Sequence, residues 1–248
     1  MLFRSAWIEW WVRRPKLGAE GAVWIHWWCR RIVRALGFQC TVEGWIPHGG
    51  VVVSNHLSYL DILLYSSVRP FVMVAKTEVR GWPLMGWITS RAGTVYVERG
   101  GGPTTWPAVN AAMSEAYRSG LPVLFFPEGT TTNGEQVLNF HSGILAQAML
   151  VDEPVTAGYI EYSLGEGNAA GASVADDVAF WGDQTMWPHM WRFVGLRNVR
   201  AKVRFADGPI VFSSDVMHRK QVAVEAREAL LALAPEGIPA EAPVSETV

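Results

Sequence analysis

Residues 51–61 decide the fold, and they read VVVSNHLSYLD. The β-branched run Val51–Ser54 predicts a short buried strand, and the apolar spacing over Ser58–Ser67 predicts a helix directly after it. Ser58 is a typical N-cap residue, which would place Asp61 in the first turn of that helix. A buried strand that leads straight into a helix is typical of an α/β domain.

The same alternation continues along the chain. Further strands are predicted at Phe71–Ala75, Thr94–Val97, Pro122–Phe126, Val155–Tyr162 and Val199–Phe205. Further helices are predicted at Pro107–Ser119, Ser142–Leu150 and Ser214–Leu233, the last with its N-cap at Ser214 or Asp215. This order predicts an α/β fold with a largely parallel central sheet flanked by helices, as one domain over residues 38–233. Residues 234–248 are rich in Pro, Glu and Ala and are predicted to be disordered.

Residues 1–37 differ in composition from the rest of the chain. Residues 1–36 carry a net charge of +5 in a chain whose formal net charge is −2. Two amphipathic helices, broken near Pro15–Gly18, would each carry tryptophans at positions i, i+3 and i+4 on one side: Trp7, Trp10, Trp11 and Trp24, Trp27, Trp28. Tryptophan mixed with arginine predicts a motif that associates with an anionic membrane surface. The alternative is that the same tryptophans pack against the domain as core.

The overall composition narrows the function classes. A net charge of −2 gives no basic signature for nucleic acid, and two cysteines do not form a disulfide framework. The apolar stretch 22–29 is shorter than the roughly 20 residues that span a bilayer, and no secretory signal is visible. We therefore expect a peripheral or monotopic protein at the cytoplasmic face of the cell membrane.

The pair His56 and Asp61 carries the first chemical prediction. An imidazole that is held in one tautomer by a carboxylate can take a proton from an attacking hydroxyl, while the carboxylate stabilises the imidazolium that forms. The alternative is structural, because Ser58 and Asp61 also have the spacing of a capping box and an acid is favoured in the first turn of a helix.

Two further segments place polar groups at predicted strand ends. Residues 125–132 read FFPEGTTT, and such a loop can offer N–H groups and hydroxyls to a phosphate or an oxyanion. Arg99 follows one strand and Lys76 ends another, and both are suited to binding phosphate. The structural alternatives are a polar turn for the loop, a surface ion pair for Arg99 and a solvated side chain for Lys76.

In this order, the motifs resemble the PlsC-type glycerolipid acyltransferase family over roughly residues 40 to 210. The resemblance implies that His56 is the general base and that Asp61 orients it, without a metal or cofactor. It implies substrate binding by Asn55, Lys76, Arg99, Glu128, Gly129 and Thr130. The implied reaction moves an acyl group from acyl-CoA or acyl-carrier protein to a lysophospholipid, 1-acylglycerol-3-phosphate above all, giving phosphatidic acid in phospholipid biosynthesis. The family's fold also includes an N-terminal two-helix membrane motif.

The chain departs from the family pattern where an arginine and a serine usually follow the third motif, because Thr131 and Thr132 stand there. An alternative acceptor with less need for phosphate binding is a lyso-ornithine lipid or a lysoglycolipid. Two other classes remain open, namely a non-catalytic lipid-binding protein of the membrane surface, and a metal hydrolase built on His56, Asp61, Glu128 and His141. The segment Trp181–Arg192 resembles bacterial branches of the family, and its composition suits a loop that faces the membrane or an acyl channel.

Overall fold

The computed structural model describes residues 19–82, 85–97, 110–111, 113–150, 152–213 and 216–239. Within them, seven strands form one sheet: β1 Gln39–Glu43, β2 Val51–Ser54, β3 Val72–Lys76, β4 Val95–Val97, β5 Val123–Phe125, β6 Val155–Leu164 and β7 Val199–Phe205. Their order across the sheet is β1-β7-β6-β2-β5-β3-β4. Strands β2 to β6 are parallel, whereas β7 is antiparallel to β6 and parallel to β1. The prediction of a largely parallel central sheet is confirmed.

Helices cover both faces of this sheet. They are α1 Ala19–Ala35, α2 Leu60–Val68, α3 Met85–Arg91, α4 Ser142–Leu150, α5 Val174–Asp177, α6 Met186–Val194 and α7 Arg219–Leu231. Residues 113–118 are also helical, and 3₁₀ turns lie at Thr77–Gly81 and Val216–His218. Because side chains alternate along a strand, Val52 packs with α1, α2 and α6, whereas Val51 and Val53 pack with α4 and α7.

The central position of β2 determines where the site lies. Val53 is opposite Phe125 of β5 on one side and Ala157 of β6 on the other. Since β2, β5, β3 and β4 run in one direction, the segments that follow them leave the same edge of the sheet. In open α/β sheets, ligands bind at the carboxyl ends of the strands.

Several predicted boundaries need correction. Helix α2 begins at Leu60 and not at Ser58, and α7 begins at Arg219 after a 3₁₀ turn, with residues 214–215 outside the described part. Strand β1 and helix α3 were not predicted. The Trp181–Arg192 segment, interpreted as a loop, contains most of α6. Part of the predicted disordered tail is ordered, because Ile238 packs against the body and the Pro239 carbonyl accepts from the Val137 N–H.

The three tryptophans of helix α1 are divided between the core and the surface. Trp24 and Trp28 are buried in the core, and the Trp24 ring meets Trp87 edge-on at 5.7 Å between centroids. Trp27 is 52% exposed, and the Arg31 guanidinium lies 3.8 Å from its ring centroid. For Trp24 and Trp28 the structure thus favours the alternative of core packing. The predicted first helix, with its three tryptophans, lies outside the described residues, and no described helix is both long and apolar enough to cross a bilayer.

Candidate active site

The His56 ring lies beside Asp61 at the carboxyl end of the central strand. Nδ1 of His56 is 2.7 Å from Oδ2 of Asp61. The Asp61 side chain is fully buried, whereas 18% of the His56 side chain is exposed. One face of the imidazole stacks on Phe126, with 3.9 Å between ring centroids and planes 8° apart. With Nδ1 engaged and the ring fixed, Nε2 is the nitrogen left to accept a proton from a substrate.

The backbone also fixes the Asp61 carboxylate. Its Oδ2 accepts hydrogen bonds from the N–H groups of Leu57 at 2.7 Å and of Ser58 at 3.0 Å. The Ser58 hydroxyl, predicted to cap the helix, is buried without a hydrogen-bond partner in the described residues. Asp61 therefore accepts from the Ser58 N–H, as the acid of a capping box does, and also holds His56. The capping box itself is incomplete, because the N-cap of α2 is Tyr59 and its side chain makes no capping hydrogen bond.

Sequence reasoning missed Tyr162. Its hydroxyl donates to Oδ1 of Asp61 at 2.5 Å, from strand β6. Burial and the neighbouring Asp61 raise the pKa of this phenol well above its ordinary value, so it acts as a donor. No sequence signal links the two residues, because they are 101 positions apart and meet only through the pairing of β6 with β2.

Glu128 joins the loop after β5 to the loop after β2. Its Oε1 accepts from the His56 backbone N–H at 2.9 Å, and its Oε2 accepts from the Leu138 N–H at 2.9 Å. Burial raises the pKa of this carboxyl to about 7, against the opposing effect of these two hydrogen bonds. Both oxygens of the predicted substrate-binding glutamate are thus engaged by the protein backbone.

Three more contacts hold the segment 55–57. The Asn55 amide donates to the Ile160 carbonyl at 2.9 Å and accepts from the Ile160 N–H at 2.8 Å, so it is bound to β6. The His56 carbonyl accepts from the Thr132 N–H at 2.9 Å, and the Leu57 carbonyl from the Phe180 N–H at 2.8 Å. The loop that carries His56 is therefore fixed by three other parts of the chain, which are strand β6, the loop after β5 and the segment before α6.

Gly129 and Thr130 lie in the turn that follows β5. Gly129 has φ +67°, and a Cβ there would come within 2.7 Å of the His141 ring. Its N–H donates to the Phe126 carbonyl at 3.1 Å. That N–H is therefore committed to the turn and does not serve the oxyanion role expected for this loop. Thr130 is exposed.

Of the two predicted phosphate-binding cations, Lys76 and Arg99, the structure describes Lys76. Lys76 is the last residue of β3, half-buried, and its backbone lies opposite Val97 of β4. It thus stands at the same edge of the sheet as His56, with β5 between their strands. Arg99 lies outside the described residues.

The metal-hydrolase alternative receives no support from this geometry. Glu128 uses both of its oxygens on backbone N–H groups, and Asp61 uses its own on His56, Tyr162 and two amides. Across the described ranges, no three His, Cys, Asp or Glu side chains are grouped so that they could hold a metal ion.

Comparison with known proteins identifies the class. Residues 23–161 match the Acyltransferase family. A lyso-ornithine lipid O-acyltransferase of Pseudomonas aeruginosa is 34% identical over 177 residues, which are 70% of this chain and 64% of that protein. A 1-acyl-sn-glycerol-3-phosphate acyltransferase of Neisseria gonorrhoeae is 33% identical over 159 residues, 64% of this chain and 60% of that protein. The chain therefore belongs to the Acyltransferase family, as its motifs predicted.

A solved structure gives the same fold. The 1-acyl-sn-glycerophosphate acyltransferase PlsC from Thermotoga maritima superposes with a TM-score of 0.55 at 20% identity, over 84% of this chain and 78% of that chain. For the Pseudomonas and Neisseria relatives, the aligned segments amount to less than two thirds of those proteins' own lengths.

Proposed function

We propose that this protein transfers a fatty acyl group from a thioester donor, acyl-CoA or acyl-carrier protein, to the free hydroxyl of a lyso-lipid. The observation that carries the proposal is the hydrogen bond between His56 and the buried Asp61, at the carboxyl ends of the central strands of an Acyltransferase-family chain. A hydroxyl is a weak nucleophile unless a base takes its proton, and this pair supplies one.

The proposed reaction follows one proton path. Nε2 of His56 takes the proton of the acceptor hydroxyl as the hydroxyl oxygen attacks the thioester carbonyl carbon. The tetrahedral intermediate collapses, the carbon–sulfur bond breaks, and the departing sulfur takes the proton from the imidazolium to leave as a thiol. Asp61 holds the ring and stabilises its positive charge in between. The hydroxyl attacks directly, so this path requires no acyl-enzyme.

Three other residues position the base in this proposal. Glu128 holds the His56 backbone, Tyr162 holds Asp61, and Asn55 ties the loop to β6. The fully engaged oxygens of Glu128 favour this positioning role over direct contact with substrate. Lys76, Arg99 and the exposed Thr130 are the proposed contacts for the acceptor's polar head.

Different observations favour two different acceptor lipids. A lyso-ornithine lipid is favoured by the Pseudomonas relative, whose name gives that activity, and by Thr131, which stands where the family usually has a cation. 1-Acylglycerol-3-phosphate is favoured by the Neisseria relative and by the cations Lys76 and Arg99. Either acceptor is a membrane lipid, so we further propose that the protein works at the cytoplasmic surface of the cell membrane.

A panel of acceptors tests the proposal. Purified full-length protein is incubated with labelled acyl-CoA or acyl-carrier protein and with lysophosphatidic acid, lyso-ornithine lipid or a lysoglycolipid, and products are identified by mass spectrometry. We expect a diacyl product from at least one acceptor, with lyso-ornithine lipid preferred. Preference for lysophosphatidic acid would select the second candidate. Lipid binding without product from any donor would overturn the enzymatic proposal in favour of a non-catalytic lipid-binding protein.

A further inference from the structure

Helix α6 exposes an apolar surface to solvent. Trp187 is 57% exposed, Trp191 71% and Val194 53%. Their spacing of i, i+4 and i+7 places them on one side of the helix, which we call the α6 outer face. Scattered single apolar side chains on a surface are ordinary, whereas adjacent exposed tryptophans mark a site of interaction.

The opposite side of α6 contacts the segment that joins His56 to Asp61. His189 is fully buried; its Nε2 lies 2.9 Å from the Ala179 carbonyl and its Nδ1 3.1 Å from the Tyr59 hydroxyl. The carbonyl can only accept, so Nε2 carries the proton and Nδ1 accepts from Tyr59. Tyr59 is two residues before Asp61 in the chain. A ligand on the outer face would therefore lie against a helix that contacts the loop of His56 and Asp61.

Two exposed arginines lie at α6, Arg192 within the helix and Arg197 directly after it. The three cations of β7 are not part of this surface, because they alternate with the β7 side chains that pack on the α6 side of the sheet. Arg192 also lies 3.4 Å from the Asp177 carboxylate. Indole rings favour the depth of lipid headgroups, and guanidinium groups bind phosphate.

We propose that the α6 outer face docks on an anionic phospholipid bilayer. This inference rests on the proposed function for its purpose, because a lyso-lipid acceptor has to pass from the membrane to His56 and α6 adjoins the loop that bears His56. The helix would lie in the plane of the interface, with Trp187 and Trp191 at headgroup depth. The α6 outer face would be a second contact with the membrane, besides any that the N-terminal segment makes.

The test measures vesicle binding of the full-length chain without substrate, so that its result is independent of any acyl transfer. Vesicles of phosphatidylethanolamine and phosphatidylglycerol are floated with wild type, with W187S/W191S and with W45S. Trp45 is a matched control, because it is 48% exposed and follows β1, which runs opposite to β2 and so ends at the other edge of the sheet. We expect W187S/W191S to lower the partition coefficient about tenfold or more and W45S to leave it unchanged. Equal binding by all three proteins would overturn the proposal.

A local probe keeps the proposal testable if W187S/W191S fails to fold. An environment-sensitive fluorophore is attached at Trp191→Cys or at Trp45→Cys, each in a Cys40→Ser background because Cys29 is buried. We expect a blue shift on vesicle addition at position 191 and none at 45. The absence of a shift at 191, or a wild-type dimer that W187S/W191S dissociates while vesicle binding persists, would contradict the proposal and make the face a protein interface.

Discussion

The hydroxyl of Tyr162 donates to Oδ1 of Asp61, the carboxylate oxygen that His56 does not contact. Asp61 is thereby held from two sides, by its own loop through Oδ2 and by strand β6 through Oδ1. A fixed carboxylate keeps the imidazole in one orientation and one tautomer, which a general base requires. In the proposed mechanism, Tyr162 therefore acts through Asp61 and not on the substrate.

Tyr162→Phe should slow turnover without removing the base. Loss of one hydrogen bond to a buried carboxylate should destabilise the fold by about 1.5–3 kcal/mol. We expect kcat to fall about tenfold, which corresponds to about 1.4 kcal/mol of transition-state stabilisation, with KM little changed. Steady-state kinetics and urea denaturation measure the two effects.

Tyr159→Phe is the matched control for this change. Tyr159 is buried on the same strand, and its ring packs in the cluster with Val137 and Leu230, away from the cluster that contains Tyr162. The control should keep kcat near that of wild type. Equal losses of kcat in the two variants would mean that Tyr162 acts on the strand and not on Asp61.

The stability of the fold should depend on the protonation of Glu128. Burial raises the pKa of this carboxyl from 4.5 to about 7, so the folded state holds the proton more tightly than the unfolded chain. The resulting stabilisation is fully present below about pH 4.5 and is lost as the pH rises through about 7, a change of up to about 3 kcal/mol. Between about pH 4.5 and 8, the free energy of unfolding of wild type should fall relative to that of Glu128→Gln.

Denaturant titrations of both proteins across this range check the Glu128 prediction. The comparison removes the contribution of every other titrating group that the two proteins share. A difference that stays constant with pH would show that the carboxyl titrates normally, and a difference that grows in favour of wild type would show a lowered pKa.

The tryptophans of α1 should separate into core and surface. Trp28→Ala removes a buried ring and should lower the free energy of unfolding by about 3–5 kcal/mol. Trp27→Ala removes an exposed ring that stacks with Arg31 and should cost less than about 1 kcal/mol. Thermal or urea denaturation of the two variants decides, and equal losses would contradict the packing of α1 on the sheet.

The elements that the sequence predicted are those with a buried apolar signal. All four residues of β2 are buried, and the valine run alone predicted it. In β1, by contrast, no residue is buried, because it is an edge strand, so Gln39–Glu43 has no hydrophobic period to detect. Helix α6 was interpreted as a loop because its apolar residues are divided between a buried and an exposed side.

In the candidate site, too, some contacts follow from local sequence and others do not. Local spacing was enough to pair His56 with Asp61, since the two residues belong to one strand–helix junction. Tyr162 and the backbone contacts of Glu128 come from the register of β6 and β5 against β2, which local sequence does not encode. The Ser58 side chain does not cap the helix, because the Asp61 N–H, from which its hydroxyl would accept, donates to the Ser58 carbonyl at 3.1 Å.

The most direct test of the account compares acyl transfer by wild type and His56→Ala, with thermal denaturation of both proteins alongside. Because 18% of the His56 side chain is exposed and its backbone contacts to Glu128 and Thr132 do not need the imidazole, the variant should stay folded. We predict that its kcat falls by about 10²–10⁴-fold. A folded variant with near wild-type turnover would contradict the assignment of His56 as the base.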